Sequence, residues 1–320
     1  MRFWRRAISA AIGAALLASA CGVGASNNTV GAVPTPVDDP SPKLPVTVAS
    51  ADGRRVTISD VSRLVPLWGN LSETVFALGL GGHVVARDIS TTFEQAKDLP
   101  LVTRSHEVTA EAVLSQHPTL VLADEQSGPP EALRQIRDAG VPVIVFQRPT
   151  NVAEIGTQIR RIATALGVKE QGLAVAADAM REIDDITAAL PHPTKRPRVA
   201  FLYMRGNAGV ALMAGPGSGV DSMINSAGGR DAGTAIRLAK SFTPLTSEAL
   251  VKAKPDVILM TTTGLASVGG VDGLLQVPGV AQTPAGRDRR VVTMEDGLLF
   301  SFGTRTATAL RTLSNAFYQS

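Results

Sequence analysis

The chain has one cysteine in 320 residues, and only two tyrosines, two tryptophans and four histidines. A lone Cys21 excludes an intramolecular disulfide and any cysteine-rich metal site. Excess charge is also lacking. The formal +3 arises from Arg2, Arg5 and Arg6, because residues 1–20 contain no acid and the remainder holds 28 basic against 28 acidic side chains. That balance removes an electrostatic case for nucleic acid. No HExxH, no GxSxG and no glycine-rich phosphate loop occurs, so nothing points to an enzyme. The apolar run Ala7–Ala20 is too short to span a bilayer comfortably.

What is present begins with that run. Three arginines followed by small apolar residues form a targeting segment over 1–20. Leu17-Ala18-Ser19-Ala20-Cys21 reads as a lipoprotein cleavage site, although Ala18 stands where leucine is usual. Cys21 is then the acylated residue, and the mature chain carries no thiol. Pro34, Pro36, Pro40, Pro42 and Pro45 mark 21–45 as an extended, solvated linker that holds a domain off a membrane. About 275 residues remain, one large domain or two smaller ones.

In that remainder short apolar runs alternate with helical patterns, which predicts α/β architecture. Strands are expected at Val84–Asp88, Leu120–Asp124, Val143–Phe146, Val199–Met204, Val257–Thr262 and Val291–Met294, after a hairpin of Val46–Ala49 and Val56–Ile58. Helices are expected at Leu71–Leu80, Pro130–Ala139, Ala153–Leu166, Gly217–Ala227 and Thr304–Phe317. A longer one, Lys169–Leu190, is predicted to reach on the order of 30 Å and to bridge two lobes. An internal repeat supports the lobes. Thr109, Glu111, Pro118 and Leu122 recur as Thr246, Glu248, Pro255 and Leu259, each 137 residues later. Each copy reads as a threonine N-cap, a short helix, a proline and a buried strand. The expected boundaries are 46–168 for the N-terminal lobe, 169–191 for the inter-lobe helix and 192–320 for the C-terminal lobe.

Tyr203 closes the strand Val199–Met204, and Arg205, two residues on, shares its face. Carboxyl ends of strands are where open α/β sheets usually place ligands. A tyrosine on a buried strand is ordinarily core with a bonded hydroxyl, but Tyr318 lies near the terminus, so Tyr203 is the one credible phenolate. Among the histidines, His83 reads as a solvated turn, His117 as a helix C-terminal charge, and His192 as part of a Pro-His-Pro loop. His106 sits in a loop before Thr109.

The segments Leu71–Gly79, Val84–Asp88, both repeat copies and Met223–Gly229 together resemble the periplasmic-binding-type lipoproteins of bacterial ABC importers, in the class whose lobes are joined by one long α-helix. That class serves cobalamin, ferric siderophores and haem. Gly128–Leu133, Ala139–Val143 and Asp296–Arg305 are similar to its haem-binding members from corynebacteria and their relatives. The resemblance implies a two-lobed α/β fold, each lobe a mostly parallel sheet flanked by helices. It implies haem b as the transported ligand, its iron held by His106 from one lobe and Tyr203 from the other, with Arg205 supporting the tyrosine. Proteins do ligate haem iron axially through such side chains. A free phenol, with a pKa of ~10, becomes a good ligand once Fe(III) and a guanidinium favour its anion. Glu111 and Glu248 are implied as docking points for the permease, although glutamate in a first helical turn also suits the helix dipole. Arg87, Arg104 and Arg237 are candidate propionate partners, and Phe93, Phe146, Phe242, Met294 and Phe300 candidate flanks. The expected partners are a permease, its ATPase and the membrane through the lipid anchor, with the protein a monomer on the outer face of the cytoplasmic membrane. Cobalamin or a ferric siderophore is the alternative cargo.

Overall fold

The computed structural model describes residues 32–33, 40–104, 107–191 and 195–318. The targeting segment, Cys21, His106 and His192 lie outside these residues.

The N-terminal lobe begins with an antiparallel hairpin, β1 (Val46–Ala49) and β2 (Arg55–Ile58). Gly53, at φ 81°, makes its turn. The lobe's sheet has three parallel strands, ordered β3 (Leu64–Pro66), β6 (Leu120–Asp124) and β7 (Val143–Phe146). Every residue of the three is buried. Strands covered on both faces read as unbroken apolar runs, which is why two of them were visible as such. Between β3 and β6, β4 (Thr103–Arg104) and β5 (Glu107–Val108) pair antiparallel. The expected strand Val84–Asp88 does not form. Val84 and Arg87 make single bridges, to Leu64 and Leu101, and Asp88 turns the chain by accepting hydrogen bonds from Ser90 and Thr91.

The long helix spans Lys169–Ala188. It packs on the preceding helix Ile155–Ala165 and on the last helix, Thr306–Tyr318. Gly172, the one helix-breaking residue in it, stands where a Cβ would overlap that of Ala163. The glycine therefore lets the two helices approach closely, which offsets its helical cost of ~1 kcal/mol.

The C-terminal lobe is built on a six-stranded mixed sheet. Its order is β11 (Phe242–Pro244), β9 (Val210–Ala214), β8 (Arg198–Arg205), β12 (Val257–Thr261) and β13 (Val291–Met294), with β10 (Arg230–Asp231) also on β8. The eight-residue β8 changes partners along its length. Val199–Leu202 pair parallel with β12, while Leu202–Arg205 pair antiparallel with β9. Its last three residues thus run beyond their register with β12. Phe201, fully buried, meets Phe300 edge-on at 5.7 Å. This sheet, the long helix and Thr306–Tyr318 share one hydrophobic core.

The repeat survives in the geometry. Helices Ala110–Leu114 and Ser247–Ala253 lead into β6 and β12. Between helix and strand, His117 and Lys254 occupy equivalent positions with φ of 48° and 45°. Each precedes a proline, which disfavours the right-handed helical region and ends the helix there. His83 is half-buried rather than solvated, its Nδ1 2.9 Å from the Val61 carbonyl oxygen. The expected helix Gly217–Ala227 starts only at Val220, because Gly217 and Gly219 take positive φ.

Candidate functional site

A cleft of about 1730 Å³ lies between the lobes. Strand ends build both walls. On the C-terminal side the overhang of β8 presents Tyr203 and Arg205, backed by Leu212, Phe242 and Phe300. Residues two apart on a strand share a face, and here they touch: Arg205 Nε donates to the Tyr203 hydroxyl oxygen over 2.5 Å. The guanidinium also sits 5.3 Å from the centre of the Tyr203 ring. Tyr203 is half-buried, its ring edge-on to Phe242 at 6.3 Å. A cation donating to a phenolic oxygen stabilises negative charge there, and charge-assisted bonds of this kind are the strong ones.

The N-terminal wall carries a cluster that the sequence did not reveal. Trp68 follows β3, Asp124 ends β6 and Arg148 follows β7, so each parallel strand contributes one residue at its carboxyl end. Arg148 stacks on the Trp68 ring, 3.5 Å from its centre, and reaches Asp124 Oδ2 through Nε at 2.6 Å and Nη2 at 2.5 Å. Asp124 is fixed in turn by Ser127 Oγ and the Gln126 amide. Trp68 and Arg148 line the cleft.

The base of the cleft ties the lobes together. Glu73, in the helix Gly69–Ala77, receives Arg305 Nε at 2.8 Å and Nη2 at 2.6 Å, with both side chains essentially inaccessible at 0% and 2%. Burial pushes the Glu73 carboxyl above the ordinary carboxylate range, against the pull of Arg305. Nearby, Thr92 Oγ1 donates to Glu295 Oε2 across the lobes at 2.9 Å. Gly297 lies so close to Ser90 and Thr92 that a Cβ would overlap both.

The expected site residues divide. Tyr203 and Arg205 meet in the cleft. The chain on either side of residues 105–106 flanks the same cleft: Thr103 lines it, and Glu107 bridges to Gly128, next to the lining residues Gln126 and Ser127. Glu111 and Glu248 are exposed, each in the first turn of its repeat helix. Two of the three propionate candidates are corrected, and the side chain of the third, Arg104, lies outside what the structure describes. Arg87 does not line the cleft and turns Nη1 to the Thr91 carbonyl, while Arg237 lines a separate cavity of about 380 Å³ with Arg230 and Asp231. Of the proposed aromatic and thioether flanks, Phe242 and Phe300 line the cleft. Phe93, Phe146 and Met294 are core residues, Phe93 edge-on to Phe76 at 5.0 Å.

Two lobes on one long helix, with a ligand-sized cleft at the strand ends, agree with known proteins. A family model described as periplasmic binding protein matches residues 67–298. The chain belongs to the periplasmic binding protein family. Among solved structures it is similar to the haem-binding protein HmuT, at 37% identity and a TM-score of 0.85 over 90% of this chain and 95% of that one. HmuT has also been solved with a single histidine, tyrosine or arginine altered. The periplasmic haem-binding protein RhuT from Roseiflexus sp. RS-1, in apo form, is 43% identical, with a TM-score of 0.77 over 81% of this chain and 98% of that one. Among curated proteins, the Bacillus subtilis ABC transporter substrate-binding lipoprotein YvrC is 25% identical over 97% of both chains. A cobalamin-binding protein of Halobacterium salinarum is 25% identical, over 86% of this chain and 74% of its own. Among the described residues, no helix is long and apolar enough to cross a membrane.

Proposed function

We propose that this member of the family binds ferric haem outside the cytoplasmic membrane and delivers it to an ABC importer. The observation that carries the reading is the Tyr203–Arg205 pair in the inter-lobe cleft, joined over 2.5 Å. Tyr203 supplies a phenolate to one axial face of the iron, and Arg205 holds the charge on its oxygen. His106 supplies imidazole to the opposite face; Thr103, close to it in the chain, lines the cleft. The HmuT variants support this set. Their altered tyrosine and arginine stand two positions apart, as 203 and 205 do, and the altered histidine lies about as far ahead of that tyrosine as residue 106 does here. With two axial ligands the protein carries its cargo rather than reacting on it.

In this reading the lobes are residues 46–168 and 192–320, with the helix segment 169–191 between them. Acylated Cys21 anchors the chain to the outer face of the membrane, and 21–45 form the tether. Exposed Glu111 and Glu248 dock on the permease, whose ATPase drives transport. The protein acts as a monomer.

A second reading, cobalamin as cargo, is favoured by the cobalamin-binding relatives. Titration with hemin, followed by absorption spectroscopy, separates the two. Hemin is expected to give a ferric, tyrosinate-type spectrum that Tyr203→Phe abolishes and His106→Ala alters, while cyanocobalamin gives no heat of binding by calorimetry. Failure to bind hemin, together with cobalamin binding, overturns the proposal.

A further inference from the structure

We infer that Arg148 is the residue that selects a cargo bearing free carboxylates, and that Trp68 and Asp124 hold it in position to do so. The inference rests on the haem reading and adds how the N-terminal wall reads the periphery of the macrocycle, away from the iron.

Three observations carry it. First, the cluster is assembled from the carboxyl ends of all three parallel strands, β3, β6 and β7. A crevice outside the carboxyl ends of parallel strands is where an open α/β sheet receives its ligand. Second, Arg148 is oriented rather than merely neutralised. Its flat guanidinium lies on the Trp68 ring at 3.5 Å, while Nε and Nη2 are committed to Asp124. Nη1 makes no hydrogen bond among the described residues. Asp124 is 2% exposed and is itself held by Ser127 and Gln126, so it cannot swing out to meet a cation in solution. Arg148 keeps 18% of its side chain accessible and lines the cleft. The pinned edge of the guanidinium faces protein, and the rest is available to an incoming anion. Third, the only other guanidinium described in the lining, that of Arg205, is engaged with the Tyr203 oxygen on the opposite lobe. The lining carboxylates Asp88, Glu295 and Asp296 repel a ligand carboxylate, so Arg148 is where one is accommodated.

A guanidinium whose rotamers are already fixed loses little entropy on binding, and its planar fork suits a carboxylate. The selected chemical class is a flat metallotetrapyrrole with free acid side chains. A corrinoid whose acids are amides, or a porphyrin whose acids are esters, lacks the partner Arg148 needs.

The test compares hemin with its dimethyl ester in the full-length protein, in the same detergent-containing buffer, by Soret titration. The unaltered protein is expected to bind hemin roughly ten- to a hundredfold more tightly than the ester, the range for a hydrogen bond to a charged group. Arg148→Gln is expected to remove that preference by weakening hemin binding while leaving ester binding and the tyrosinate-type spectrum unchanged. Arg148→Lys, which keeps the charge, is expected to restore part of the preference. Trp68→Leu, which removes the stacking surface, is expected to lower it. A merely structural role for Arg148 would weaken both porphyrins alike, and that outcome overturns the inference. So does an Arg148→Gln protein that melts like the parent and still prefers hemin. If the parent itself binds neither porphyrin, the haem reading has failed instead, which is a different result.

Discussion

Arg305 at the base of the cleft and Arg205 on its wall each donate through Nε to an oxygen, over 2.8 Å and 2.5 Å, in very different surroundings. Arg305 is 2% exposed and its carboxylate partner 0%, whereas Arg205 is exposed on a strand that has outrun its neighbour β12. Away from water, a guanidinium on a carboxylate is a strut. Its removal leaves a bare charge, and it has no freedom to meet a ligand. At the edge of water, the same bond orients a phenol and leaves its oxygen able to coordinate. In the proposed reading, the first arrangement holds the lobes together and the second faces the cargo. Arg148 is intermediate, pinned on one edge and open on the other.

The sharpest way to break this contrast is at the base. Glu73→Leu strands Arg305 as a buried cation, and its expected cost in denaturant unfolding is about 3–5 kcal/mol. The double replacement Glu73→Leu with Arg305→Met is expected to recover most of that loss, because an apolar pair of similar volume avoids desolvating two ions. If both variants were equally unstable, the pair would be doing more than bridging the lobes. The pH response adds a sign. Burial raises the Glu73 carboxyl above its ordinary value of 4.5, so between that value and the raised one the folded protein holds the extra proton. Stability contributed by this group is therefore full below the ordinary value and declines as pH rises. The stability of the parent relative to Glu73→Gln is expected to fall on going from acid to neutral pH, and a rise would reverse the assignment.

The two arrangements are not equally legible in the sequence. Tyr203 and Arg205 stand two residues apart, and strand periodicity alone puts them on one face, so that half of the site was legible. Glu73 and Arg305 are 232 residues apart, and nothing local in either segment indicates that both become inaccessible. Trp68, Asp124 and Arg148 are not legible for a related reason, since parallel strands bring their ends together only through intervening crossovers. In the fold, the runs 120–124 and 143–146 are legible because buried parallel strands are continuously apolar, and 291–294 is legible from its paired valines although only Met294 of it is buried. The run from Val84 to Asp88 starts with the same apolar residues but ends in Arg87 and Asp88, and its two isolated bridges do not make a ladder. β9 and β11 are placed by antiparallel pairing, β9 on the side of β8 away from β12 and β11 on β9, which no local pattern in Val210–Ala214 or Phe242–Pro244 specifies.

On the wall, the contrast predicts an effect on binding with little effect on folding. Arg205→Ala removes an exposed side chain, so its unfolding midpoint is expected to stay within about 0.5 kcal/mol of the parent. Hemin affinity is expected to fall about tenfold, because the phenolate loses its cationic donor, and Arg205→Lys is expected to recover part of it. An Arg205→Ala protein that unfolds early but binds hemin normally would make Arg205 a strut like Arg305 and would dissolve the distinction.

The smallest expected effect compares the two copies of the repeat. Thr246 caps its helix, its hydroxyl accepting from the Ala249 amide at 3.1 Å. Thr109 occupies the same place with extended backbone at φ −109° but makes no side-chain cap bond. A lost cap costs ~1 kcal/mol. Thr246→Ala is therefore expected to lower unfolding stability by about that amount, while Thr109→Ala changes it by no more than a few tenths. Equal losses would mean that the N-terminal copy is capped in solution as the C-terminal one is, and that the two lobes are more alike than the threonine geometry implies.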